Sequence, residues 1–210
     1  MKTLFMPAKI QKDALPVVEK ALESLPKKVG LVTTIQFLDQ LPKIKTFLEK
    51  NNKKAVTGGQ ILECDASAAK KIAKKVDKFL YIGSGHFHPI EIRLETGKDV
   101  IIANPVSGQV SKLKQEDINK LQTKKKTAFI KFHSAETVGI LVSTKPGQNR
   151  LKQAFELKNK LKDKQYYVFI NDTIDLADME NYPFIQAWVN TACPRLADYS
   201  SNIINIGDIK

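Results

Sequence analysis

Cys193 is the residue of this chain whose position points most clearly to chemistry. It follows a run of residues, 184–189, that is predicted to be a buried strand, and Pro194 prevents that strand from continuing. Arg195 stands close behind the sulfur, and the only tryptophan, Trp188, lies just before the turn. A thiol at the carboxyl end of a strand lies where ligands bind in open α/β sheets. Cys193 is therefore a candidate ligand- or metal-binding residue.

Cys64, the only other cysteine, also lies in a turn. Gly58 and Gly59 precede it and allow an unusual backbone path. A helix is predicted over residues 66–76, capped by Asp65 or Ser67. The backbone N–H groups and the dipole at the start of a helix favour a thiolate.

Neither cysteine belongs to a C-x-x-C motif, which excludes a zinc ribbon and a thioredoxin motif. Two isolated cysteines are compatible with inert buried thiols. If both turns lie at one rim, the sulfurs can instead converge on one metal centre. Two thiolates do not complete an iron–sulfur or zinc shell, so His86, His88 or another chain would have to supply the remaining ligands.

The turn after the predicted strand 79–82 contains His86 and His88, in GSGHFHP. Both are general acid/base candidates, and the alternative is a structural role satisfied by the local backbone. The glycines do not form a phosphate loop, because the Lys-Ser/Thr pair of a P-loop and the third glycine of a dinucleotide motif are missing. The third histidine, His133, is predicted to lie on the surface.

Polar turns offer groups that can bind a carboxylate. The predicted strand 138–143 ends in Thr-Lys-Pro-Gly-Gln148, and Arg150 follows. Arg195 and Arg150 are the better carboxylate ligands, because a guanidinium group binds a carboxylate in a fork and lysine does not. The alternative is that these arginines are simply exposed on the surface.

The predicted strands alternate with helices, which indicates an α/β protein with mainly parallel sheets. We predict a cut near Asn104 into two similar units, residues 1–103 and 104–210, each with one cysteine on a turn. Strands are predicted at residues 3–6, 29–33, 79–82, 100–103, 138–143, 166–170 and 203–206, in addition to 184–189. Helices are predicted after Asp13 and over residues 35–49, 115–126 and from Leu151, with residues 127–132 either helix or strand.

Composition limits the class of protein. The formal net charge is +12, almost entirely from lysine, which suits an acidic protein partner or RNA. The lysine runs carry no interleaved aromatic residues, so a solvated basic surface is favoured over direct nucleic-acid binding. No apolar run reaches the roughly 18 residues of a membrane span, and no signal peptide is recognisable. Two cysteines without a secretion signal favour a reducing, cytoplasmic compartment.

Four segments together resemble the diphthamide synthase family, the archaeal 2-(3-amino-3-carboxypropyl)histidine synthases. They are GGQILECDASAA, YIGSGHFHP, GILVSTKPGQ and WVNTACPRLADY, and the last is the most specific. The resemblance implies α/β domains that each contribute one cysteine to a [4Fe–4S] cluster. It also implies S-adenosylmethionine bound at the open iron site and cleaved reductively to a 3-amino-3-carboxypropyl radical. That group would be added to one histidine of translation elongation factor 2, by an enzyme that is a homodimer in archaea.

Carried onto this sequence, the resemblance assigns Cys64 to the middle domain of the family and Cys193 to the last domain. The family's first domain and its cysteine have no counterpart here, and Glu63 replaces the glycine expected before Cys64. We therefore expect a split enzyme, in which a separate polypeptide supplies the third thiolate. His86 is a candidate catalytic residue, and Gln148 and Arg195 are candidates for binding S-adenosylmethionine.

Two other functions remain open from the sequence. The chain can be a non-catalytic family member that binds the elongation factor or a catalytic subunit without holding a cluster. Alternatively it is an α/β module that binds RNA or a small molecule, which the basic charge would suit.

Overall fold

The structure, a computed structural model, describes Leu4, residues 6–62 and residues 65–209. It divides into two compact units, Met1–Ile118 and Asn119–Lys210. Each unit contains a sheet of mainly parallel strands flanked by helices, so the predicted α/β class is confirmed. The predicted cut near Asn104 is too early. A strand at Gln109–Lys112 pairs antiparallel with the strand before it and belongs to the first sheet.

The first unit has five strands in the order β2-β1-β3-β4-β5, and only β5 is antiparallel. The strands are β1 (Lys28–Thr33), β2 (Lys54–Gln60), β3 (Lys78–Ile82), β4 (Val100–Asn104) and β5 (Gln109–Lys112). Helices α1 (Leu15–Ala21) and α2 (Leu41–Lys50) bury their apolar side chains against one face, in a core that includes Leu31 and Leu80. Helices α3 (Ser67–Lys70) and α4 (Phe87–Thr96) pack on the other face, against Phe79 and Tyr81.

The second unit has four strands, all parallel, in the order β7-β6-β8-β9. They are β6 (Thr137–Ser143), β7 (Gln165–Asn171), β8 (Ala187–Asn190) and β9 (Ile203–Asn205). Helices α5 (Gln115–Ser134) and α6 (Leu151–Lys160) pack against one face of this sheet through residues such as Phe132 and Ala154. The other face carries Leu141 and Trp188, which are covered by side chains of the segment 174–179.

The two units share a strand order and a packing device. Gly30 in β1 lies opposite Phe79 in β3, and Gly139 in β6 lies opposite Trp188 in β8. A Cβ atom at Gly30 would lie 2.6 Å from the Phe79 ring, and one at Gly139 would lie 2.4 Å from the Trp188 ring. In each unit the central strand therefore needs a glycine, because an aromatic ring of the neighbouring strand occupies the space of a side chain.

Most of the predicted elements are present, and their ends differ by a few residues. The region of residues 127–132 that the sequence left open is helical, because α5 continues to Ser134. Its end is capped by Lys164, whose ammonium group donates hydrogen bonds to the carbonyl oxygens of His133 and Ala135 at 2.9 and 2.8 Å. No helix among the described residues is long and apolar enough to cross a membrane.

Several predicted elements are wrong or were missed. The helix over residues 66–76 is reduced to α3 and a 3-10 turn at Ala73–Lys75, because the chain bends there to bury Ile72 and Val76. The last long strand begins at Ala187 instead of Phe184, which is half exposed and lies just before it. Of the predicted strand at residues 3–6, Leu4 and Met6 are exposed and not in a strand, and the other two residues lie outside the described part of the chain.

Helix α4 was not predicted, because its first turn was read only as a glycine turn. The end of this helix carries a recognisable signal: Gly97 adopts a left-handed conformation with φ of 69°, and its N–H donates a 2.9 Å hydrogen bond to the Arg93 carbonyl. Strand β5 was also missed. It is short and mostly exposed at the edge of the sheet, so it lacks the apolar pattern of the buried strands.

Candidate metal-binding loop at the carboxyl edge of the second sheet

The loop after β8 carries Cys193 and continues from a strand that is buried in the sheet. Strand β8 lies between β6 and β9, and all three are parallel. Thr191, just past the end of β8, is fully buried, and both its N–H and its hydroxyl donate to the carbonyl oxygen of Leu141, at 3.0 and 2.8 Å. The chain therefore remains attached to β6 up to two residues before the cysteine.

The side chain of Asn190 organises this loop. It is only 1% exposed. Its amide nitrogen donates to the carbonyl oxygen of Cys193 at 2.8 Å and to the side-chain oxygen of Asn205 at 2.7 Å. Its own side-chain oxygen accepts a hydrogen bond from the N–H of Ala192 at 3.0 Å. Asn205, in turn, donates to the carbonyl oxygen of Pro194 at 3.1 Å. Buried hydrogen bonds on both sides of Cys193 fix the path of its backbone.

Cys193 is half-buried, and its thiol is in no disulfide. It precedes a 3-10 turn at Pro194–Asp198, and its carbonyl oxygen accepts the N–H of Leu196 at 3.0 Å. The backbone of the cysteine is thus held, and the residue as a whole is partly exposed. A thiol in this state fits a role as a thiolate ligand to an iron–sulfur cluster, because such ligands must be positioned and accessible.

Arg195 does not stand alone beside the cysteine. Its Nε atom lies 3.9 Å from a carboxylate oxygen of Asp198, on the same 3-10 turn. Burial raises the pKa of Asp198, and the nearby cations Arg195, Lys125 and Lys124 partly oppose that shift. Lys124 also donates a 2.7 Å hydrogen bond to the Asp198 carbonyl oxygen. The structure thus shows the orientation of Arg195 toward Asp198, and its role in substrate binding stays a prediction.

Gln148 lies in the turn that follows β6, at the same edge of the sheet as the Cys193 loop, because β6 and β8 are parallel neighbours. Its N–H donates to the carbonyl oxygen of Lys145 at 3.0 Å, and its side chain is partly exposed. Ser143, at the end of β6, is buried and donates to the Asp172 carbonyl at 2.9 Å, which fixes the start of that turn. The proposed contact of Gln148 with S-adenosylmethionine stays a prediction.

Cys64, the candidate ligand of the first unit, and Glu63 lie outside the described residues, and the structure describes only the residues on either side of them. Strand β2 ends at Gln60, and the next N–H, of Ile61, donates to the Thr33 carbonyl at 2.7 Å. On the far side, the Asp65 carboxylate accepts the N–H of Ser67 at 2.7 Å, at the start of α3. Asp65 therefore contacts the first turn of α3, but the N-cap position is held by Ala66, so the predicted cap by Asp65 or Ser67 is wrong.

The glycine pair before Cys64 has a steric reason. A Cβ atom at Gly58 would lie 2.9 Å from a Val32 methyl group and 3.0 Å from the Ala68 carbonyl oxygen, so the strand and the following helix approach it closely. Gly59 has a φ of 104°, which favours glycine over other residues. The register between β1 and β2 shifts at this point. Larger side chains at either position would displace the backbone that leads to Cys64.

The histidines divide into two kinds. His88 lies 3.2 Å, through its Nδ1 atom, from the hydroxyl oxygen of Tyr81, which is buried in β3. His88 therefore contacts a buried side chain of the first unit, and its role as an acid/base group stays a prediction. His86 is exposed just before α4, and its catalytic role stays a prediction. His133 is exposed on α5, as expected.

Sequence reasoning missed the residues that position the cysteine, above all Asn190 and Asn205. The available signal was Asn190 itself, a polar residue at the end of an apolar strand and three residues before Cys193. Across Leu4, residues 6–62 and residues 65–209, no group of three or more His, Cys, Asp or Glu side chains is arranged to hold a metal ion.

The sequence of residues 1–202 matches the family described as "Putative diphthamide synthesis protein". The chain belongs to this family. It is 29% identical to the 2-(3-amino-3-carboxypropyl)histidine synthase of Pyrococcus horikoshii over 215 residues, covering 95% of this chain and 61% of that protein. It is 32% identical to the enzyme of the same name from Methanocaldococcus jannaschii over 211 residues, covering 93% of this chain and 56% of that protein.

A solved structure, Dph2 from Pyrococcus horikoshii with a 4Fe-4S cluster, has the same fold with a TM-score of 0.84. The two are 26% identical, and the match covers 98% of this chain and 63% of the other. A fission yeast relative, 28% identical over 94% of this chain and 49% of its own length, is named as subunit 1 of the synthase. The chain thus spans about half to three fifths of the length of these relatives.

Replacing Asn190 by alanine tests the role assigned to its side chain. The change removes three hydrogen bonds, one buried and two partly buried, and we expect it to lower the free energy of unfolding by about 2–4 kcal/mol. In a Cys64→Ser background, Cys193 should also react faster with a thiol reagent, because its loop is released. The matched control is Asn202→Ala, which should change neither quantity. Equal effects of both substitutions would contradict the assignment.

The buried tyrosine of the first unit gives a pH dependence. Burial raises the pKa of Tyr81 to about 12, against about 10 in an unfolded chain. Between pH of about 10 and about 12 the folded state keeps the Tyr81 proton and the unfolded state loses it. The contribution of Tyr81 to the free energy of unfolding is therefore complete below pH of about 10 and is lost as pH rises toward about 12. We expect the difference in unfolding free energy between the parent and Tyr81→Phe to shrink over this range. Tyr199→Phe, at an exposed position, is the control. A pH-independent difference for Tyr81→Phe would contradict the assignment.

Proposed function

We propose that this chain is part of a diphthamide synthase that transfers the 3-amino-3-carboxypropyl group of S-adenosylmethionine to a histidine of translation elongation factor 2. The observation that carries the proposal is the state of Cys193. Its thiol is in no disulfide and the residue is partly exposed, while hydrogen bonds of the buried Asn190 side chain hold its backbone at the carboxyl edge of a parallel sheet. Membership of the family and the 4Fe-4S cluster of the Pyrococcus Dph2 structure support the same function.

Cys193 and Cys64 are the proposed thiolate ligands of a [4Fe–4S] cluster. When bound, the cluster supplies the electron that cleaves S-adenosylmethionine to the 3-amino-3-carboxypropyl radical. The contribution of this chain is to fix ligand positions: Asn190 and Asn205 hold the Cys193 loop, and Gly58 and Gly59 allow the tight approach before Cys64. Glu63 adds a negative charge next to Cys64. A carboxylate directed toward the cluster would disfavour further negative charge on it.

The substrate groups have candidate partners at the edge of the second sheet. Arg195 offers a guanidinium group to the carboxylate of S-adenosylmethionine, and Asp198, within 3.9 Å, orients that group. Gln148, in the turn after the adjacent strand, offers an amide to the same ligand. In the first unit, the exposed His86 is the candidate acid/base group.

A third thiolate must come from outside the 210 residues, since the chain contains two cysteines. We propose that the family's N-terminal domain supplies it. The relatives named as subunit 1 in eukaryotes support an enzyme made of more than one chain. The assembly would also present the histidine of the elongation factor to the site.

A transfer assay tests this function. The chain is purified without oxygen together with the N-terminal domain of a family member, supplied in trans, and reduced with dithionite. Elongation factor 2 and S-adenosylmethionine labelled in the carboxyl carbon are then added. We expect label on the elongation factor, and Cys193→Ser should reduce the rate by more than about a hundredfold, beyond the loss typical of residues that only support a ligand.

Tyr199→Phe, an exposed change six residues away, is the matched control and should keep the parent rate. Full activity of Cys193→Ser would overturn the assignment of the ligand. A parent chain that binds the elongation factor tightly but transfers no label under these conditions would replace the proposal with the alternative, a non-catalytic subunit of the same assembly.

A further inference from the structure

An aromatic cleft opens on the face of the second sheet opposite to α5 and α6. It has a volume of about 310 Å³, in the range of small ligand sites. Phe169 on β7 and the buried Trp188 on β8 line its base, and Tyr182 adds a third, more exposed ring from the loop before β8. The carboxylates of Asp175 and Asp178 stand in its lining. None of these residues belongs to the proposed cluster site.

The three rings pack against one another at steep angles and form one aromatic wall of the cleft. The centroid of Phe169 lies 4.5 Å from that of Tyr182 and 4.9 Å from that of Trp188, and the Tyr182 and Trp188 centroids are 6.3 Å apart. The angles between the ring planes are 62°, 53° and 69°. At these distances the rings are in contact with one another, and Trp188 is only 2% exposed. Tyr182, which is 36% exposed, offers the aromatic surface that an organic cation can reach.

The charge around the cleft is opposite to that of the protein. The whole chain has a formal net charge of +12. Residues 165–194 contain no lysine or arginine but include four carboxylates, Asp172, Asp175, Asp178 and Glu180. Among the described residues, the Asp178 carboxylate forms no hydrogen bond or ion pair. A negative region with aromatic walls on a basic protein favours a positively charged occupant.

The two units differ in what covers the sheet face that carries the aromatic rings. There, α3 and α4 pack over Phe79 and Tyr81. In the second unit no α-helix among the described residues covers the equivalent face, and the segment 172–182 provides only a 3-10 turn at Ala177–Asn181. The chain also leaves Ile170 and Phe184 about half exposed near the rings. Apolar side chains beside the cleft suit contact with a polypeptide on either side of an inserted cation.

We propose that this cleft binds an arginine side chain presented by a partner polypeptide. The planar guanidinium group stacks on an aromatic face and donates two parallel hydrogen bonds to a carboxylate, so it can use both the exposed ring of Tyr182 and the exposed carboxylates of Asp175 and Asp178. Ile170 and Phe184 contact apolar residues next to that arginine. The site is independent of the cluster chemistry, because it uses no residue of the Cys193 loop.

The fluorescence of Trp188, the only tryptophan, provides the measurement. The full chain is titrated with the peptide acetyl-Leu-Arg-Leu-amide and with the same peptide in which citrulline replaces arginine. Citrulline keeps the shape of arginine without its charge. We expect saturable binding of the arginine peptide, at least about tenfold weaker binding of the citrulline peptide, and weaker binding of the arginine peptide as salt increases.

Asp178→Asn should weaken binding of the arginine peptide by at least about fivefold. Glu180→Gln is the matched control, because it removes one charge from the same segment outside the cleft lining, and it should change binding by less than about twofold. Phe184→Ser should weaken binding of the peptide but not binding of N-acetylarginine amide, because that compound lacks the apolar residues next to the arginine. Circular dichroism of each variant confirms that it is folded.

Equal binding of the arginine and citrulline peptides would overturn the proposal, as would equal losses in Asp178→Asn and Glu180→Gln. Competition of S-adenosylmethionine with the peptide would assign the cleft to a small sulfonium ligand instead. Self-association of the chain that disappears in Asp178→Asn would identify a second copy as the occupant. Either result would overturn the assignment to a partner polypeptide.

Discussion

The candidate metal-binding loop depends on the hydrogen bonds of one buried side chain, the amide of Asn190. Cys193 lies three residues beyond a parallel strand, where a loop is free to adopt many paths. Asn190 limits that freedom because its side chain accepts the N–H of Ala192 and donates to the carbonyl oxygen of Cys193. Asn205 extends the network by donating to the carbonyl oxygen of Pro194. A polar group with 1% exposure is costly unless its hydrogen bonds are made. The same bonds that satisfy Asn190 therefore hold the sulfur in position.

The two units are built on one plan but use it differently. Both have the strand order that places the first strand of the unit second in the sheet, and both have a glycine in that strand opposite an aromatic ring. The cysteines do not follow equivalent strands. Cys64 comes after the edge strand β2, and Cys193 comes after the interior strand β8. In the second unit, the position after the edge strand β7 instead carries the acidic segment that lines the aromatic cleft.

Sequence patterns predicted the parts of this fold that are set by burial. The runs around Leu31, Leu80 and Ile140 are apolar because both faces of a parallel sheet are covered, and they form strands where expected. A clear sign of the repeat, Val-Gly followed by apolar residues at Val29 and Val138, was also present but was not used. Four motifs were enough to identify the family, and residues 1–202 match it.

What the sequence did not predict depends on contacts between distant residues. The link between Asn190 and Asn205 joins residues fifteen positions apart, and periodicity carries no information on such pairs. The helix predicted over residues 66–76 failed for a related reason, because tertiary burial of Ile72 and Val76 outweighed the local helical preference of an alanine- and lysine-rich segment.

Cys193 is, in our proposal, a ligand of an iron–sulfur cluster that needs a thiolate from outside these 210 residues. Mössbauer spectroscopy of ⁵⁷Fe-labelled protein, prepared without oxygen with and without the family's N-terminal domain, reports the type and amount of cluster on the protein. We predict the spectrum of a [4Fe–4S] cluster only when the domain is present, and its loss in Cys193→Ser while the two polypeptides still co-purify. The same spectrum and iron content in Cys193→Ser, or a full cluster on the isolated chain, would contradict this assignment.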